Sequence, residues 1–414
     1  MSAGQVGRGF SCKFSSKGWD IKMMRVDTQG NEFPIGKYLS VKAGAAGCPI
    51  NGTFELTGRC NLNCKMCYVH EQKNVLKMKR KELSVDEWMK IAEQAKELGL
   101  LYLLLTGGEV MIREDFIELY EKLSRMGFRL VINTNGSLMT PQIEDCFRRN
   151  PPARVNVSVY GASDETYEAL CGVPVWEKVM GTIIKLTSMG VSVRTTTVLT
   201  PYNCHDMERI YEFDRSQGTL IEMTPYLFPP IRLECGKNGE NIARFSAEEA
   251  GKYMVKRDRL LLDCKEQFQE KARRFLATGT GCPYENQLPR AKNEVGSKSR
   301  CGAGRHSFWL TWDGKMRPCG LMSCPEADVR MIGFEKAWLQ IQEEVEKIRL
   351  PYECKNCKNR QFCKTCAAMC QSETGRFDMR PDYICRMAEA AKKAYGKALK
   401  ESELSDAKEA RSDA

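Results

Sequence analysis

Three cysteines, Cys60, Cys64 and Cys67, are separated by three and then two intervening residues, directly after a predicted strand. A loop of this length can wrap around one iron–sulfur cluster and supply three thiolates, whereas an ordinary ferredoxin-type site supplies four. The iron left without a cysteine can then take an external ligand. A zinc site is the alternative, because His70 could add a fourth ligand, although zinc sites usually present paired Cys-x2-Cys elements.

A second motif, Thr106-Gly107-Gly108-Glu109, follows the next predicted strand. Glycines permit close approach of the backbone, and a glutamate carboxylate accepts hydrogen bonds from a cation. These residue types are compatible with a turn that approaches a cation closely, although the tripeptide alone is weak evidence for one. Glu109 could instead be only a helix N-terminal residue favoured by the helix dipole.

The chain contains 20 cysteines, far more than a cytosolic protein holds as idle thiols. A disulfide scaffold would need an export signal, and the N-terminus MSAGQVGRGF lacks the apolar region of one. No apolar run approaches the roughly 18 residues that span a bilayer. We therefore expect a cytoplasmic protein without membrane contact, in which cysteines bind metal or clusters.

The net charge of +10 is spread along the chain. This distribution is typical of a solvated surface, although a basic cleft for an acidic partner such as a leader peptide would give the same total. No nucleic-acid-binding motif is present, so we expect no nucleic-acid partner.

Strand and helix patterns alternate from residue 51 onward. Six βα-type repeats over roughly 170 residues indicate a parallel barrel or an open doubly wound sheet. The predicted strands cover residues 53–57, 101–105, 129–133, 154–158, 191–199 and 220–227.

The rest of the chain changes in character. We expect an irregular N-terminal extension with one hairpin over residues 19–35, a single long helix from Ser246 to about Phe275, and a charged C-terminal helix. The predicted divisions are an extension at 1–50, a barrel core at 51–230, a linker and long helix at 231–280, a cysteine-dense domain at 281–390 and a charged helix at 391–414.

The cysteine loop and the glycine-glycine-glutamate turn together resemble the radical S-adenosylmethionine (SAM) superfamily. The resemblance implies a partial (β/α)6 TIM-type barrel, a [4Fe-4S] cluster on Cys60, Cys64 and Cys67, and a SAM amino group bound by Gly107, Gly108 and Glu109. Softer matches place Thr134, in Asn-Thr-Asn-Gly, and Ser158, in Ser-Val-Tyr-Gly, along the SAM ribose and carboxylate. Arg194 either pairs with that carboxylate or is a surface arginine.

The C-terminal cysteines resemble the SPASM extension of the same superfamily, which binds two auxiliary [4Fe-4S] clusters. The resemblance implies one cluster on Cys354, Cys357, Cys363 and Cys385. It implies a second on Cys301, Cys319, an upstream residue taken to be Cys282, and either Cys366 or Cys370. The spacing here departs from the family pattern, and we favour Cys366 because it lies nearer to Cys363 in the chain. Paired zinc ribbons are the alternative. The remaining cysteines, at 12, 48, 146, 171, 204, 235, 264 and 324, are interpreted as buried or surface thiols.

The resemblance implies cofactors of SAM and three [4Fe-4S] clusters, with reductive cleavage of SAM to a 5′-deoxyadenosyl radical that abstracts hydrogen. It implies a precursor peptide as substrate, modified by a thioether or other crosslink, and an external electron donor such as flavodoxin or ferredoxin. Residues 228–232 are interpreted as a substrate-facing loop. Gly320 stands where sulfatase maturases carry an aspartate, which argues against formylglycine formation. A folded protein or a small molecule is the alternative substrate, and a zinc-binding module without catalysis is the remaining hypothesis.

Overall fold

The computed structural model describes residues 35–69, 79–231, 239–262, 264–277, 301–363 and 365–412. Cys282, His70 and most of the hairpin predicted near the N-terminus lie outside these residues. Within them, nine strands form one sheet in the order β6-β5-β4-β3-β2-β1-β7-β8-β9. The strands are β1 (Asn51–Glu55), β2 (Tyr102–Thr106), β3 (Arg129–Thr134), β4 (Arg154–Ser158), β5 (Val193–Val198), β6 (Leu220–Thr224), β7 (Ser307–Leu310), β8 (Lys315–Arg317) and β9 (Ala327–Asp328).

The first six strands are parallel neighbours in chain order, which confirms the predicted α/β architecture of a TIM-type barrel. Helices in the described residues are α1 (Ile35–Ala46), α2 (Val85–Glu97), α3 (Phe116–Arg125), α4 (Pro141–Arg149), α5 (Asp164–Cys171), α6 (Trp176–Ser188), α7 (Met207–Ser216), α8 (Ala247–Leu261), α9 (Lys265–Ala277), α10 (Val329–Ile332), α11 (Phe334–Lys347), α12 (Ala367–Thr374) and α13 (Asp382–Ser412). None of these helices is long and apolar enough to cross a bilayer.

Each parallel strand presents alternate residues to two different environments. The helix-facing side is fully buried: Phe54 packs on Trp88 with ring centroids 4.7 Å apart, and Val155 and Val157 are 0% exposed. The opposite, inner face is only half-buried along β4 and β5, at positions such as Asn156 and Thr196. The partial barrel therefore has a filled outer layer and an inner face that solvent reaches.

Two sequence predictions about helices are wrong. The single helix predicted over 246–275 is two helices, because Leu262 takes extended backbone angles (φ −90°, ψ 135°) and ends α8. The break allows both helices to pack on α13, where Tyr395 hydrogen-bonds Asp258 of α8 and stacks on Phe268 of α9. Residues 35–46, predicted to be irregular, form α1.

The cysteine-dense region continues the barrel sheet. Strand β7 pairs parallel with β1, with Asn51 opposite Ser307 and Phe54 opposite Leu310. Gly52 makes this close approach possible, because a Cβ there would lie 2.6 Å from the Phe308 ring. One sheet therefore contains strands from both sides of the domain boundary that was predicted at residue 281.

Candidate active site

The cysteine loop is held against the glycine turn by backbone hydrogen bonds. The Gly108 amide donates to the Thr57 carbonyl and the Glu109 amide to the Arg59 carbonyl, both at 2.8 Å. A Cβ on Gly108 would overlap the Arg59 carbonyl, and one on Gly107 would lie 2.6 Å from the Thr57 carbonyl. The two glycines are therefore required by the close approach of β2 to the segment that precedes Cys60.

A buried ion pair supports the start of this loop. The Arg59 guanidinium donates to both carboxylate oxygens of Glu82, at 2.8 and 3.0 Å, and Thr57 donates to the same carboxylate. Arg113 lies on the other side and donates to the carbonyls of Leu56 and Leu83. Sequence reasoning missed these residues, because nothing in their spacing signals that they meet.

The Cys60 sulfur receives two donors from the surrounding protein. The Leu62 amide lies 3.4 Å from Sγ and the Asn135 side-chain amide 3.7 Å from it. Burial, more than any other effect, raises the pKa of the Cys60 thiol to about 12, and Glu109, Cys64 and Cys67 add to the increase. A thiolate in this setting needs a bound positive charge, so the donor set fits an iron cluster held by deprotonated cysteines.

Cys64 is in contact with Cys171, the last residue of α5. A side-chain hydrogen bond between the two thiols, followed by burial, raises the pKa of Cys64 far above its ordinary value. The last carbonyls of α5 also hold the loop: Leu170 accepts from the Lys65 amide and Cys171 from the Asn63 amide, both at 2.9 Å. Nothing in the spacing of the cysteines connects Cys171 with the loop.

Glu109 is 1% exposed and its carboxylate accepts three hydrogen bonds from the protein. Oε1 accepts from the Met111 amide at 3.1 Å and the Thr134 hydroxyl at 2.9 Å, and Oε2 accepts from the Asn135 amide at 2.6 Å. Burial raises the pKa of this carboxyl group, and the three donors oppose that increase. A carboxylate offers about four acceptor positions, so one remains for an ammonium group.

The structure places the softer site predictions as follows. Thr134 is buried and uses its hydroxyl on Glu109, so it orients that carboxylate. Ser158 ends β4 in a half-buried position, opposite Thr196 of β5. Arg194 lies on β5 two residues before Thr196 and opposite Asn156 of β4. Its Nη1 is 3.4 Å from the Glu222 carboxylate. The roles of Ser158 and Arg194 toward SAM stay predictions.

Asn135 is a site residue that sequence reasoning did not assign. Besides contacting Cys60 and Glu109, its side chain donates to Asn61 at 2.9 Å and accepts from the Ser137 hydroxyl at 2.6 Å. It therefore joins the cysteine loop to the glutamate turn. The one feature of the sequence that could have identified Asn135 is its position directly after the predicted strand, next to Thr134.

Ile231 and Asn241 both contact the backbone of the cysteine loop. The Ile231 amide donates to the Tyr68 carbonyl at 2.9 Å, and the Asn241 side chain donates to the Met66 carbonyl at 3.1 Å. The loop predicted to face substrate thus reaches the backbone beside Cys67. Arg232, its last predicted residue, lies outside the described residues.

The four C-terminal cysteines predicted to share one cluster influence one another electrostatically. The charges of Cys363, Cys354 and Cys357 all act on Cys385, whose pKa is raised to about 11, first by burial. Cys354 likewise has a pKa raised by burial and by Cys363 and Cys357. The four cysteines predicted to share one cluster are therefore neighbours in space.

Cys366 and Cys370 face different neighbours. Burial is the main cause that raises the pKa of both thiols. The charges of Cys301 and Cys363 further raise the pKa of Cys366. For Cys370 the further increase comes from the charges of Cys354, Cys366, Cys363 and Cys385. Cys366 is therefore influenced by one cysteine from each predicted cluster, Cys301 and Cys363. The Cys319 sulfur has the Leu321 amide 3.4 Å away, the same relationship that Leu62 has to Cys60.

Gly320, next to Cys319, contacts the Trp309 ring. A Cβ at Gly320 would lie 2.5 Å from that ring, and the Trp309 Nε1–H donates to Glu55 Oε2 at 2.6 Å. The indole therefore occupies the space that a side chain at position 320 would need.

Among the other cysteines, Cys146, Cys171 and Cys264 are free thiols. The first two are buried and Cys264 is exposed. Cys324 was interpreted as a thiol, which is wrong, because it is disulfide-bonded. In the described part of the chain, no three His, Cys, Asp or Glu side chains converge tightly enough to enclose a single ion. A four-iron cluster does not need such convergence, since each thiolate binds a different iron.

Two comparisons of sequence agree with this site. Residues 54–213 match the radical SAM superfamily. The AdoMet-dependent heme synthase of Methanosarcina barkeri is 26% identical over 78% of this chain and 93% of its own length. A probable GTP 3′,8-cyclase of Methanothermobacter marburgensis is 28% identical over 64% of this chain and 82% of its own length.

The fold also resembles solved structures. Streptococcus suis SuiB superposes with a TM-score of 0.58 at 14% identity, over 86% of this chain and 83% of its own. Native anSMEcpe with bound AdoMet gives a TM-score of 0.58 at 16% identity, over 86% of this chain and 100% of its own. The strand that precedes the cysteine loop, the loop itself and the glutamate turn all fall in the matched segment or directly beside it. Residues 54–213 of this chain are therefore a radical SAM domain.

Proposed function

We propose that this protein is a radical SAM enzyme that modifies a ribosomally made peptide, with Cys60, Cys64 and Cys67 holding the cluster that binds SAM. When bound, that cluster and SAM supply one-electron cleavage of the sulfonium and a radical able to abstract hydrogen. The chain's own residues bind, orient and enclose these groups. The observation that carries the proposal is the convergence of the cysteine loop, Glu109 and Asn135 at one end of an open, solvent-accessible barrel face.

Glu109 is the residue we assign to the SAM ammonium. Its three protein donors fix both carboxylate oxygens, and burial strengthens a hydrogen bond from a cation because the local dielectric constant is low. The nearby Thr134 and Asn135 hold the carboxylate in place. Ser158 lies at the same end of the neighbouring strand, where the SAM carboxylate would contact it.

The half-buried inner face suits a substrate that is inserted into the barrel. Polar side chains dominate it: the Asn156 side chain donates to Asn133 at 2.7 Å and accepts from Arg154 at 2.9 Å. Such a face hydrogen-bonds an extended backbone or a polar side chain more readily than a closed apolar core does. SuiB bound to the precursor peptide SuiA, a chain with the same fold over 85% of this one, makes a peptide a reasonable occupant.

We assign the C-terminal cysteines to two auxiliary clusters of SPASM type, one on Cys354, Cys357, Cys363 and Cys385. The second would use Cys301, Cys319, Cys366 and, outside the described residues, Cys282. The electrostatic effects of Cys354, Cys357 and Cys363 on the Cys385 thiol support this division. An external one-electron donor would supply the enzyme.

The test is isotope transfer. The anaerobically reconstituted enzyme is given SAM, dithionite and a deuterated precursor peptide. We expect deuterium in 5′-deoxyadenosine and a mass change in the peptide. 5′-Deoxyadenosine formed without deuterium, together with an unchanged peptide, would contradict a peptide substrate.

A small-molecule substrate is the second candidate, favoured by one observation. The relatives that this chain covers almost end to end include heme synthases, at 26% identity over 93% of the Methanosarcina barkeri protein. The same assay with a porphyrin precursor in place of the peptide distinguishes the two candidates, because only the true substrate transfers deuterium.

A further inference from the structure

The inner face of the barrel carries three arginines on neighbouring parallel strands. Arg129 begins β3, Arg154 begins β4 and Arg194 is the second residue of β5. Arg154 lies opposite Val131, two residues beyond Arg129 on β3. Arg194 lies opposite Asn156, two residues beyond Arg154 on β4. Residues two apart share a face of a strand, so the three arginines follow one diagonal across the inner face.

These arginines lie on the side of the sheet that the helices do not cover. The residues next to two of them, Val155 and Val193, are 0% and 4% exposed and belong to the helix-facing side. In contrast, Arg129 is exposed, and Arg154 and Arg194 are half-buried. A ligand inside the barrel can therefore reach these side chains.

Among the described residues, Glu222 is the one carboxylate that forms an ion pair with the three arginines. It lies 3.4 Å from Arg194 Nη1 and is 57% exposed, whereas the Arg154 Nε–H donates to the neutral amide of Asn156 at 2.9 Å. Burial and then the charge of Arg194 lower the pKa of the Arg154 guanidinium. Glu222 opposes that decrease and Arg129 adds to it. Like charges on neighbouring strands disfavour the sheet, and a bound anion would offset their repulsion.

The arginines lie on the strands that lead to the site assigned to SAM, nearer to the amino ends of those strands. Ser158 is four residues beyond Arg154 on β4, and Thr196, which lies opposite Ser158, is two residues beyond Arg194 on β5. A parallel strand rises about 3.3 Å per residue, so the separations along the strands are roughly 13 and 7 Å. A substrate group held by both arginines would therefore lie deeper in the barrel than SAM, and the rest of the substrate would extend toward SAM.

We propose that Arg154 and Arg194 bind a carboxylate group of the substrate inside the barrel. A guanidinium group is always protonated and presents planar pairs of N–H donors that match a carboxylate. The inference rests on the proposed function and narrows its substrate class: the peptide carries an aspartate, a glutamate or its C-terminal carboxylate close to the modified residue. In this assignment Arg194 contacts the substrate, and Ser158 is the residue of these two strands that contacts SAM.

The test measures binding of short capped peptides to the anaerobically reconstituted enzyme with SAM and no reductant, by saturation-transfer NMR. The probes are acetyl-Ala-Glu-Ala-amide, its neutral counterpart acetyl-Ala-Gln-Ala-amide, and succinate as a free dicarboxylate. The glutamate peptide should bind at least about 10-fold more tightly than the glutamine peptide, because its hydrogen bonds to arginine are charge-assisted. Arg154→Gln and Arg194→Gln should each remove most of this preference while keeping the wild-type iron content and SAM affinity.

Arg148→Gln is the matched control, since it removes one positive charge from the outer surface, where Arg148 is 55% exposed and pairs with Glu144. It should keep the wild-type preference. Equal binding of the two peptides to the wild type, no measurable binding of any probe, or an unchanged preference in both Arg154→Gln and Arg194→Gln would overturn the proposal. Weaker SAM binding by Arg194→Gln would assign Arg194 to SAM and overturn it as well.

Succinate separates this inference from the proposed function. If succinate binds in a manner that depends on Arg154 and Arg194 and the glutamate peptide does not bind, the carboxylate site is supported and the peptide substrate is contradicted. Deuterium transfer from the precursor peptide, together with equal binding of the two short peptides, would instead support the proposed function and contradict the carboxylate site.

Discussion

The backbone amide of Asn135 donates a hydrogen bond to Glu109 Oε2 across 2.6 Å. This bond joins the end of β3 to the turn after β2, and the Asn135 side chain continues the connection to Cys60. One residue therefore links the carboxylate assigned to SAM with a sulfur assigned to the cluster. Displacement of either group is expected to disturb the other.

Replacing Glu109 with alanine should weaken SAM binding by about 10- to 150-fold, since a charge-assisted hydrogen bond contributes roughly 1.5–3 kcal/mol. Glu109→Gln keeps the shape and the acceptor oxygen but removes the charge, so it should retain iron and still bind SAM weakly. SAM titrations followed by the cluster's EPR signal measure both. Unchanged affinity in the alanine variant would mean that Glu109 only caps residues 110–112.

Asp214 should make the protein less stable as pH rises. Burial is the main cause that raises its folded-state pKa to about 6 from 3.8. Between these values the unfolded chain releases the proton before the folded protein does, so the free energy of unfolding falls with increasing pH. From pH 5 to pH 7.5 this contribution is about 1.4 kcal/mol.

Urea unfolding of the wild type, Asp214→Asn and Asp145→Asn at the two pH values checks this expectation. Asp214→Asn should lack the decrease, whereas the exposed control Asp145→Asn should keep it. An identical pH slope in wild type and Asp214→Asn would contradict the prediction.

Gly320→Ala should destabilise the fold by about 1–3 kcal/mol, because the added methyl group overlaps the Trp309 ring. Gly181 is the matched control: it lies within α6, where a Cβ would have no neighbour within 4 Å. Gly181→Ala should therefore stabilise by about 0.5–1 kcal/mol through helix propensity. Thermal unfolding of both variants measures the difference, and equal melting temperatures would show that Trp309 moves aside freely.

Cys366→Ala should remove about four of roughly twelve irons, the contents of one auxiliary cluster, whereas Cys370→Ala should keep a full complement. The reason is placement: Cys301 acts on the Cys366 thiol, whereas the cysteines that act on the Cys370 thiol are Cys354, Cys366, Cys363 and Cys385. Iron analysis of the two reconstituted variants decides. Loss of four irons from the Cys370 variant alone would reverse the assignment.

The sequence predicted the six parallel strands and the two motifs that follow the first two of them, because both depend on local patterns. Strand β4 was predicted residue for residue, and Gly107-Gly108 was singled out for close backbone approach, which the structure confirms. Asn135, Arg59 and Cys171 were not assigned, because their roles arise from contacts between distant segments: Glu82 lies 23 residues from Arg59. The break at Leu262 was missed because helical residues continue on both sides of it.

The most direct measurement is 5′-deoxyadenosine production by the protein in which Cys60, Cys64 and Cys67 are all replaced by alanine. With SAM and dithionite under anaerobic conditions, this variant should form none while keeping about eight irons in its auxiliary clusters. A variant in which Cys48, Cys146 and Cys204 are replaced instead should match the wild type. Retained 5′-deoxyadenosine production in the Cys60, Cys64 and Cys67 variant would contradict the assignment of the SAM cluster to these residues.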